Sequence, residues 1–215
     1  MSRQHALVID PHSYPLPAQD DETLRTYDAI HELYDAETVD FWDKFPSDTV
    51  NSFAGLLPGK EVLNLGSGPG RDSLILRNHG LNVTCLDGSA KMVEMTSRLG
   101  FRSVLADIRN LSFHENSFHG VWAYSSLIHI SFEDAGNLVK KIARILKPDG
   151  LLFLGLIQGQ GNERRSVAGS SFVRYFEYYD QEKIMSLIKN TPFQMIYSDT
   201  FKPGNHTYLN YIFRK

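Results

Sequence analysis

The chain has 215 residues, of which 42% are hydrophobic and 22% are charged, and it carries a formal net charge of −3. This length and composition predict one sizeable domain with a core of its own, since two separate cores would be cramped. The small negative charge and the lack of a long Lys or Arg run argue against an electrostatic grip on nucleic acid or anionic lipid.

Cysteine content and hydropathy indicate whether the protein has disulfides, spans a membrane or is secreted. Cys85 is the single cysteine, which excludes an internal disulfide, and its place in the apolar run VTCLD predicts a small buried side chain. The longest clean apolar run, LLFLGLI at 151–157, has the length of a strand, far below the ~20 residues that span a bilayer. The N-terminus has no signal-peptide apolar region. We therefore expect a soluble, cytoplasmic protein.

The first quarter of the chain is predicted to be mainly helical after an irregular start. Residues 1–19 contain three prolines and no periodicity, which predicts an irregular lead-in. Asp20 or Asp21 is suited to cap a helix through LRTYDAIHELYDA. Further helices are predicted at about 38–45 and 49–57. Apolar and aromatic residues share one face of the first helix, namely Leu24, Tyr27, Ile30, His31 and Tyr34.

From residue 61 onward, strands and helices alternate. Helices are predicted at 72–78, 89–98, 132–146 and 181–189, and a long polar loop at 158–172. The predicted strands are 61–65, 82–87, 101–106, 119–126, 151–157, 193–201 and 206–214, the last two forming an antiparallel pair. This alternation indicates an α/β fold: a doubly wound, mainly parallel seven-stranded sheet with an antiparallel C-terminal strand, helices on both faces and an N-terminal helical lid.

A glycine-rich turn follows the first strand, in VLNLGSGPGRDS from Val62 to Ser73. A dinucleotide-binding turn has the spacing G-x-G-x-x-G, but here Arg71 stands at the third glycine position. No Gly-Lys-Ser/Thr follows, so the turn is not a P-loop either. A nucleotide-dependent oxidoreductase is thereby disfavoured and kept as an alternative.

Five blocks in order carry a resemblance to a known family. They are VLNLGSGPG, CLDGSAKM with Asp87, Ala-Asp-Ile at 106–108, VWAYSSLIHI and LKPDGLLFLG. Together they resemble the class I S-adenosylmethionine-dependent methyltransferases over roughly residues 60–157. GRDS, LIH, RYFEYY and the tyrosines of the first helix are similar to a subgroup of small bacterial-type enzymes that mostly act on small molecules.

The resemblance implies roles for individual residues. The turn glycines let the backbone approach the methionine and ribose parts of the cofactor. Asp87 is expected to accept hydrogen bonds from the ribose hydroxyls and Asp107 from the adenine amine, with the Ile108 amide at the ring edge. Met92 is either on the adenine face or a plain core residue. The full expected cofactor set is Asn64, Gly66, Ser67, Gly68, Gly70, Asp72, Asp87, Gly88, Ser89, Met92, Asp107, Ile108 and Tyr124.

Two positions depart from the family pattern. Asn64 stands where the family usually has Asp, and His119 stands where an Asp commonly opens the fourth strand. An amide still accepts a hydrogen bond but carries no charge toward the sulfonium or the amino group. These departures leave open a non-catalytic S-adenosylmethionine-binding protein.

Methyl transfer from a sulfonium needs a base only when the nucleophile arrives protonated. His129, just after the fourth strand, is the candidate base, with Tyr34 and Tyr124 as further catalytic candidates, although a single His is more often structural. The expected acceptor contacts are Tyr27, Tyr34, Gln158 and Arg174. The loop at 158–176 either recognises an acidic or polar group or is simply solvated. No His spacing indicates a metal site.

The sequence therefore predicts transfer of a methyl group to a nitrogen or oxygen of a small molecule, with S-adenosylhomocysteine as product. YSSL replaces the N/D-P-P-Y/F motif of some N-methyltransferases, and no Pro-Cys nucleophile is present. A protein or RNA acceptor stays an alternative, although nucleic acid is disfavoured. We expect a monomer or homodimer without a membrane partner. We expect one domain over 1–215, with a helical cap at 1–58, a cofactor core at 60–157 and a substrate loop and C-terminal strands at 158–215.

Overall fold

A computed structural model describes residues 21–215. The predicted lead-in at 1–19 and the alternative cap Asp20 lie outside these residues. Asp21 caps the first helix, because its Oδ1 accepts hydrogen bonds from the amides of Thr23 and Leu24 at 3.0 and 3.1 Å. The three N-terminal helices are α1 (Glu22–Glu37), α2 (Val39–Asp43) and α3 (Ser47–Leu56), close to the predicted positions.

The rest of the chain alternates as predicted, with bounds that shift by a few residues. Ser89 caps α5, because its hydroxyl accepts a hydrogen bond from the Met92 amide at 3.2 Å. The further elements are β1 (Glu61–Leu65), α4 (Arg71–Asn78), β2 (Asn82–Asp87), α5 (Ala90–Arg98), β3 (Arg102–Leu105), β4 (Phe118–Tyr124), α6 (Phe132–Ile145), β5 (Leu146–Ile157), β6 (Asn162–Ser166), β7 (Val173–Glu177), α7 (Gln181–Ile188), β8 (Gln194–Phe201) and β9 (Tyr208–Arg214).

Within residues 21–215, seven strands form one sheet in the order β3-β2-β1-β4-β5-β9-β8. The strands β1 to β5 are parallel, whereas β9 runs antiparallel to both β5 and β8. The predicted mainly parallel sheet with an antiparallel C-terminal strand is confirmed. The order reverses between β1 and β4, and ligands of such sheets bind beyond the carboxyl ends of the strands at that crevice.

The sheet is buried on both faces, which explains its nearly continuous apolar strands. Adjacent residues of β1 enter opposite layers: Leu63 packs in the cluster of α6 and α7, and Val62 packs in the cluster of α3 and α4. Cys85 is 1% exposed, as its apolar surroundings predicted. The described part of the chain has no helix with the length and apolar character needed to cross a membrane.

Two local predictions were wrong. The stretch at 158–172, predicted as a loop, contains β6, which pairs antiparallel with β7 in a separate hairpin. The strand NERRS has no apolar alternation, so only its pairing partner makes it a strand. In addition, β5 begins at Leu146 and not at the predicted residue 151, because Leu146 pairs with Phe118 across a bulge. His119 lies in β4, as the strand predicted at 119–126 requires.

Candidate cofactor and acceptor site

The glycine turn lies at the carboxyl end of β1. The amides of Gly66 and Ser67 both donate to the Leu86 carbonyl, at 2.8 and 3.0 Å, which holds the turn against β2. Gly66 and Gly68 have φ values of +71° and +51°, a region that favours glycine. A Cβ on Gly66 would lie 2.5 Å from the Cβ of Ser126. The backbone therefore approaches the β4 edge more closely than any side chain would allow.

Asp87 joins the glycine turn to the start of α5. Its Oδ2 accepts a hydrogen bond from the Gly68 amide and its Oδ1 accepts one from the Ser89 amide, both at 2.8 Å. Burial raises the pKa of this carboxyl from 3.8 to about 6. Each carboxylate oxygen can accept a second hydrogen bond. Asp87 is thus held rigidly while keeping acceptor capacity for two vicinal hydroxyls.

Helix α1 lies across the carboxyl edge of the sheet. Asp28 accepts from the Ser89 hydroxyl at 2.6 Å and from the Lys91 amide at 3.0 Å, which joins α1 to the start of α5. Arg109 bridges Asp21 at 2.6 Å and Asp107 at 2.5 Å. The Asp107 carboxylate, expected to accept from adenine, is therefore engaged by the Arg109 guanidinium.

Two cavities meet under α1. One, of about 90 Å³, runs from the glycine turn past Asp87 to Ile108. The other, of about 310 Å³, extends from the same turn toward β7 and β9. Their common walls are Tyr27, Tyr34, Gly66, Gly68, Tyr124, Ser125 and His129. A molecule in the first cavity would present its end directly to the second.

Buried polar atoms without partners concentrate around these cavities. Among residues 21–215, six buried side-chain atoms lack a hydrogen-bond partner. Four of them belong to residues of the cavity walls: Ser67 Oγ, Tyr124 Oη, Ser126 Oγ and Arg174 Nε. Since native interiors leave few polar groups unpaired, these atoms mark places where a ligand completes the hydrogen bonding.

Most predicted site residues line the two cavities, but four do not. Gly70 has φ +91° at the start of α4, and a Cβ there would lie 3.0 Å from the Cγ2 of Thr96, so it serves the packing of α4 on α5. Ser89 acts as a helix cap. Gln158 is exposed and bridges to Tyr179. Asn64, the fourth, is buried beneath the glycine turn. The predicted residues on the walls are Tyr27, Tyr34, Gly66, Ser67, Gly68, Asp72, Asp87, Gly88, Met92, Asp107, Ile108, Tyr124, His129 and Arg174.

The departure at Asn64 has a local explanation. Its Nδ2 donates to Asp72 Oδ1 and to the Ser73 hydroxyl, both at 2.7 Å. The other oxygen of Asp72 accepts from the Trp122 indole at 3.1 Å. Burial raises the pKa of Asp72 from 3.8 to about 7. The acid beneath the glycine turn is therefore Asp72, on the wall of the larger cavity, and Asn64 is its hydrogen-bond donor.

Replacing Asn64 by Asp will destabilise the protein by about 1–3 kcal/mol at pH 8, because the donor is lost and two buried carboxyls face each other. Carboxyls whose folded-state pKa is raised contribute stability below their unfolded pKa and lose it as the pH rises through the folded value. The deficit will therefore shrink between pH 8 and pH 5 in urea unfolding. The matched control is Asn82→Asp, since Asn82 donates to Glu61 at 2.8 Å on the exposed surface. An equal cost in both variants would contradict this account.

The departure at His119 lies far from the cavities. His119 belongs to the start of β4, where its Nδ1 accepts from the Glu61 amide at 3.2 Å and its Nε2 lies 3.2 Å from the Lys147 ammonium. Burial lowers its pKa. Because the amino ends of parallel strands lie opposite the ligand edge, a neutral residue here leaves the cofactor site unchanged.

His129 is held by hydrogen bonds on both ring nitrogens. Its Nδ1 lies 2.7 Å from the Tyr175 carbonyl oxygen, which can only accept, so Nδ1 carries the proton. Its Nε2 then accepts from the Tyr27 hydroxyl at 2.8 Å. Burial lowers the pKa of His129 to about 4, and burial raises that of Tyr27. The ring is therefore neutral in a defined tautomer, with its lone pair directed at the Tyr27 hydroxyl, which lines both cavities.

Several wall residues were missed by sequence reasoning. Ser125 has φ +55°, rare for a residue other than glycine, and lies where β4 ends and both cavities begin. No sequence signal marks such a position. Arg109 and Asp21 come together from positions 88 residues apart. Further missed wall residues are Leu24, Trp42, His206 and Tyr208. No group of three or more His, Cys, Asp or Glu in residues 21–215 is arranged to hold a metal ion.

Comparison with known proteins matches this geometry. Residues 63–154 match a family described as a methyltransferase domain. The segment 63–154 is therefore similar to a methyltransferase domain, and the chain has the fold of the class I S-adenosylmethionine-dependent methyltransferases. Its sheet order, with the reversal at β1 and β4 and the single antiparallel strand β9, confirms the resemblance read from the sequence. S-adenosylmethionine is the cofactor of this class of domain.

Individual relatives of the methyltransferase domain are distant. The 27-O-demethylrifamycin SV methyltransferase of Amycolatopsis mediterranei is 28% identical over 158 residues, which are 62% of this chain and 57% of that protein. The chain spans little more than half the length of the curated relatives it matches. The structure titled "DhpI-SAH complex structure" superposes with a TM-score of 0.74 at 20% identity, covering 90% of this chain and 95% of that one. The 1,6-didemethyltoxoflavin-N1-methyltransferase of Burkholderia thailandensis has a TM-score of 0.63 at 22% identity, with 89% and 87% covered.

The residues around the smaller cavity fit the cofactor. The positive φ values of Gly66 and Gly68 open the backbone, and Asp87 keeps unused acceptor capacity. The unpaired hydroxyl group of Ser126 belongs to the wall of this cavity, and that of Ser67 belongs to the wall of the larger one. Leu24, Met92, Ile108 and Ile130 add an apolar end suited to a purine.

Proposed function

We propose that the chain transfers a methyl group from S-adenosylmethionine to a nitrogen or oxygen of a small-molecule acceptor. The observation that supports this most directly is the common wall of the two cavities, because it puts one end of a bound cofactor next to a separate space of about 310 Å³. When bound, the cofactor supplies an activated methyl sulfonium. The protein then has to align the acceptor and exclude water.

We assign proton removal to Tyr27 and His129 together. The acceptor gives its proton to the Tyr27 oxygen, while Tyr27 passes its own proton to His129 Nε2, 2.8 Å away. A weak base suffices here, because the acidity of the acceptor N–H or O–H rises as its bond to the methyl group forms. Tyr34 and Tyr124 line the same cavities and are proposed to position the acceptor.

The remaining expectations stay predictions from the sequence. These are a cytoplasmic location, a monomeric or homodimeric state, and the division into a helical cap at 1–58, a cofactor core at 60–157 and a substrate segment at 158–215. The position of α1 over both cavities supports the cap, since Leu24, Tyr27 and Tyr34 close them from one side.

Calorimetric titration with S-adenosylmethionine, S-adenosylhomocysteine and NAD tests the cofactor assignment. We expect the first two to bind and NAD not to bind. Asp87→Asn should weaken binding about 10- to 100-fold, since two charge-assisted hydrogen bonds to the ribose are lost. Glu115→Gln, which changes an exposed carboxylate paired with Arg144, is the matched control and should bind normally.

The pH dependence of cofactor affinity, measured by the same titration on the wild-type protein, gives a second test of the role of Asp87. Protonation of Asp87 removes its charge and turns one of its two acceptor oxygens into a donor, and burial raises the pKa of this carboxyl to about 6. Affinity for S-adenosylhomocysteine should therefore fall as the pH is lowered through 6, and this fall should flatten in Asp87→Asn. A folded protein that binds neither sulfur compound would refute the proposed function.

A further inference from the structure

Arg174 carries a positive charge into the larger cavity without a matching carboxylate. It lies on β7, and its Nε is buried without a hydrogen-bond partner in the described residues. Its guanidinium carbon lies 5.6 Å from the ring centroid of Tyr27 and 5.5 Å from that of Phe176. No ion pair to Arg174 is found within residues 21–215.

The other arginines of this cavity are already paired. Arg71 donates to Asp35 at 2.7 Å, and Arg165 lies 2.6 Å from Glu163. Asp72, also on the wall, has its oxygens occupied by other donors. A partly buried guanidinium on the cavity wall, with an unpaired Nε donor and no carboxylate partner, is suited to bind a carboxylate in two-point fashion.

The same cavity has aromatic walls. The Tyr124 ring lies nearly parallel to that of Phe153, at 12°, and to that of Tyr208, at 24°. A cavity bounded by packed aromatic rings favours planar, apolar ligands. The volume of about 310 Å³ is at the lower end of small-molecule sites. The aromatic wall residues are Tyr27, Tyr34, Phe41, Trp42, Tyr124, Phe176 and Tyr208.

We infer that the acceptor is a planar aromatic compound bearing a carboxylate, and that Arg174 binds that carboxylate. This inference rests on the proposed function and narrows its acceptor to one chemical class. It also has an electrostatic consequence at the adjacent base. The charge of Arg174 lowers the pKa of His129, though less than burial does, so a carboxylate bound to Arg174 would offset part of that effect.

The test measures ligand binding to protein saturated with S-adenosylhomocysteine. The probes are benzoate, indole-3-carboxylate and 2-naphthoate, each compared with its uncharged amide, and cyclohexanecarboxylate as the non-planar anion. The carboxylates should bind about 10- to 100-fold more tightly than the amides, and cyclohexanecarboxylate more weakly than benzoate. Arg174→Gln should abolish the preference for the carboxylates and Arg174→Lys should restore part of it. Arg144→Gln, an exposed arginine paired with Glu115, should leave it unchanged.

Several results would overturn the inference. The first is that no aromatic carboxylate binds at millimolar concentration. The second is that carboxylates and amides bind equally tightly, and the third is that Arg174→Gln keeps the preference for carboxylates over amides. If Arg174→Gln weakens the binding of S-adenosylhomocysteine by the same factor as the binding of the carboxylates, then Arg174 binds the cofactor and not the acceptor. The comparison of each carboxylate with its amide is made on the wild-type protein. It therefore tests the preference for a carboxylate even if Arg174→Gln does not fold. Failure of the wild type to bind S-adenosylhomocysteine would instead reject the proposed function itself.

Discussion

Replacing His129 by Gln is expected to lower kcat by about 10²- to 10⁴-fold, the usual contribution of a positioned general base. The reason is the geometry of the ring, whose Nδ1 donates to the Tyr175 carbonyl and whose Nε2 accepts from Tyr27. Tyr27→Phe should lower kcat by a similar factor, because the proton then has no path to Nε2. The double variant should be little worse than either single one, as for groups that act as a unit.

The control for His129 is His79→Gln. The His79 ring is also bonded on both nitrogens, to the Ile75 carbonyl and to Asn51, but it is exposed and lines neither cavity. That variant should keep wild-type kcat. Additive losses in the Tyr27 and His129 variants would contradict a shared proton path and indicate two independent packing roles.

The pH profile separates catalysis by His129 from simple packing. Because burial lowers the pKa of His129 to about 4, kcat at saturating cofactor should not fall near pH 6.5 but only as the pH approaches 4. By contrast, kcat/KM for the cofactor should fall near pH 6, where Asp87 is protonated. A fall of kcat with a midpoint near pH 6.5 would be inconsistent with a His129 ring that is buried and neutral.

Gly66→Ala is expected to weaken S-adenosylmethionine binding at least 100-fold, and to destabilise the fold by about 2–4 kcal/mol. Two effects combine. An alanine at φ +71° adopts the left-handed region at about 1–2 kcal/mol. Its Cβ would also lie 2.5 Å from the Ser126 Cβ, so the turn and the end of β4 must separate, and overpacking of this kind costs about 1–3 kcal/mol.

Gly80→Ala is the control that separates the cost of a positive φ from the cost of a steric clash. Gly80 has φ +79°, but a Cβ there would meet no atom within 4 Å. Urea unfolding should therefore show a loss of only about 1–2 kcal/mol, and calorimetry should show unchanged cofactor affinity. If Gly66→Ala bound the cofactor as well as Gly80→Ala does, the close approach of the turn to β4 would have no part in cofactor binding.

The helices and strands were largely predictable because their signals are local. The caps Asp21 and Ser89 act on amides two or three residues away, so a short window of sequence contains the whole interaction. The same holds for the glycine turn after β1. The expected pairing of the last two strands was also confirmed. The hairpin of β6 and β7 was missed, because exposed polar strands carry no apolar alternation and depend on their partner.

The sequence by itself determined the alternation of strands and helices, the glycine turn and the acid that ends β2, since each depends on periodicity or on neighbours a few residues away. Only the tertiary structure decided which groups act together. Tyr27 meets His129 across 102 positions, and Arg109 meets Asp21 across 88. Contacts of this kind are set by how the sheet brings distant segments to one edge. The chemistry of the site is therefore decided by packing, which no local pattern encodes.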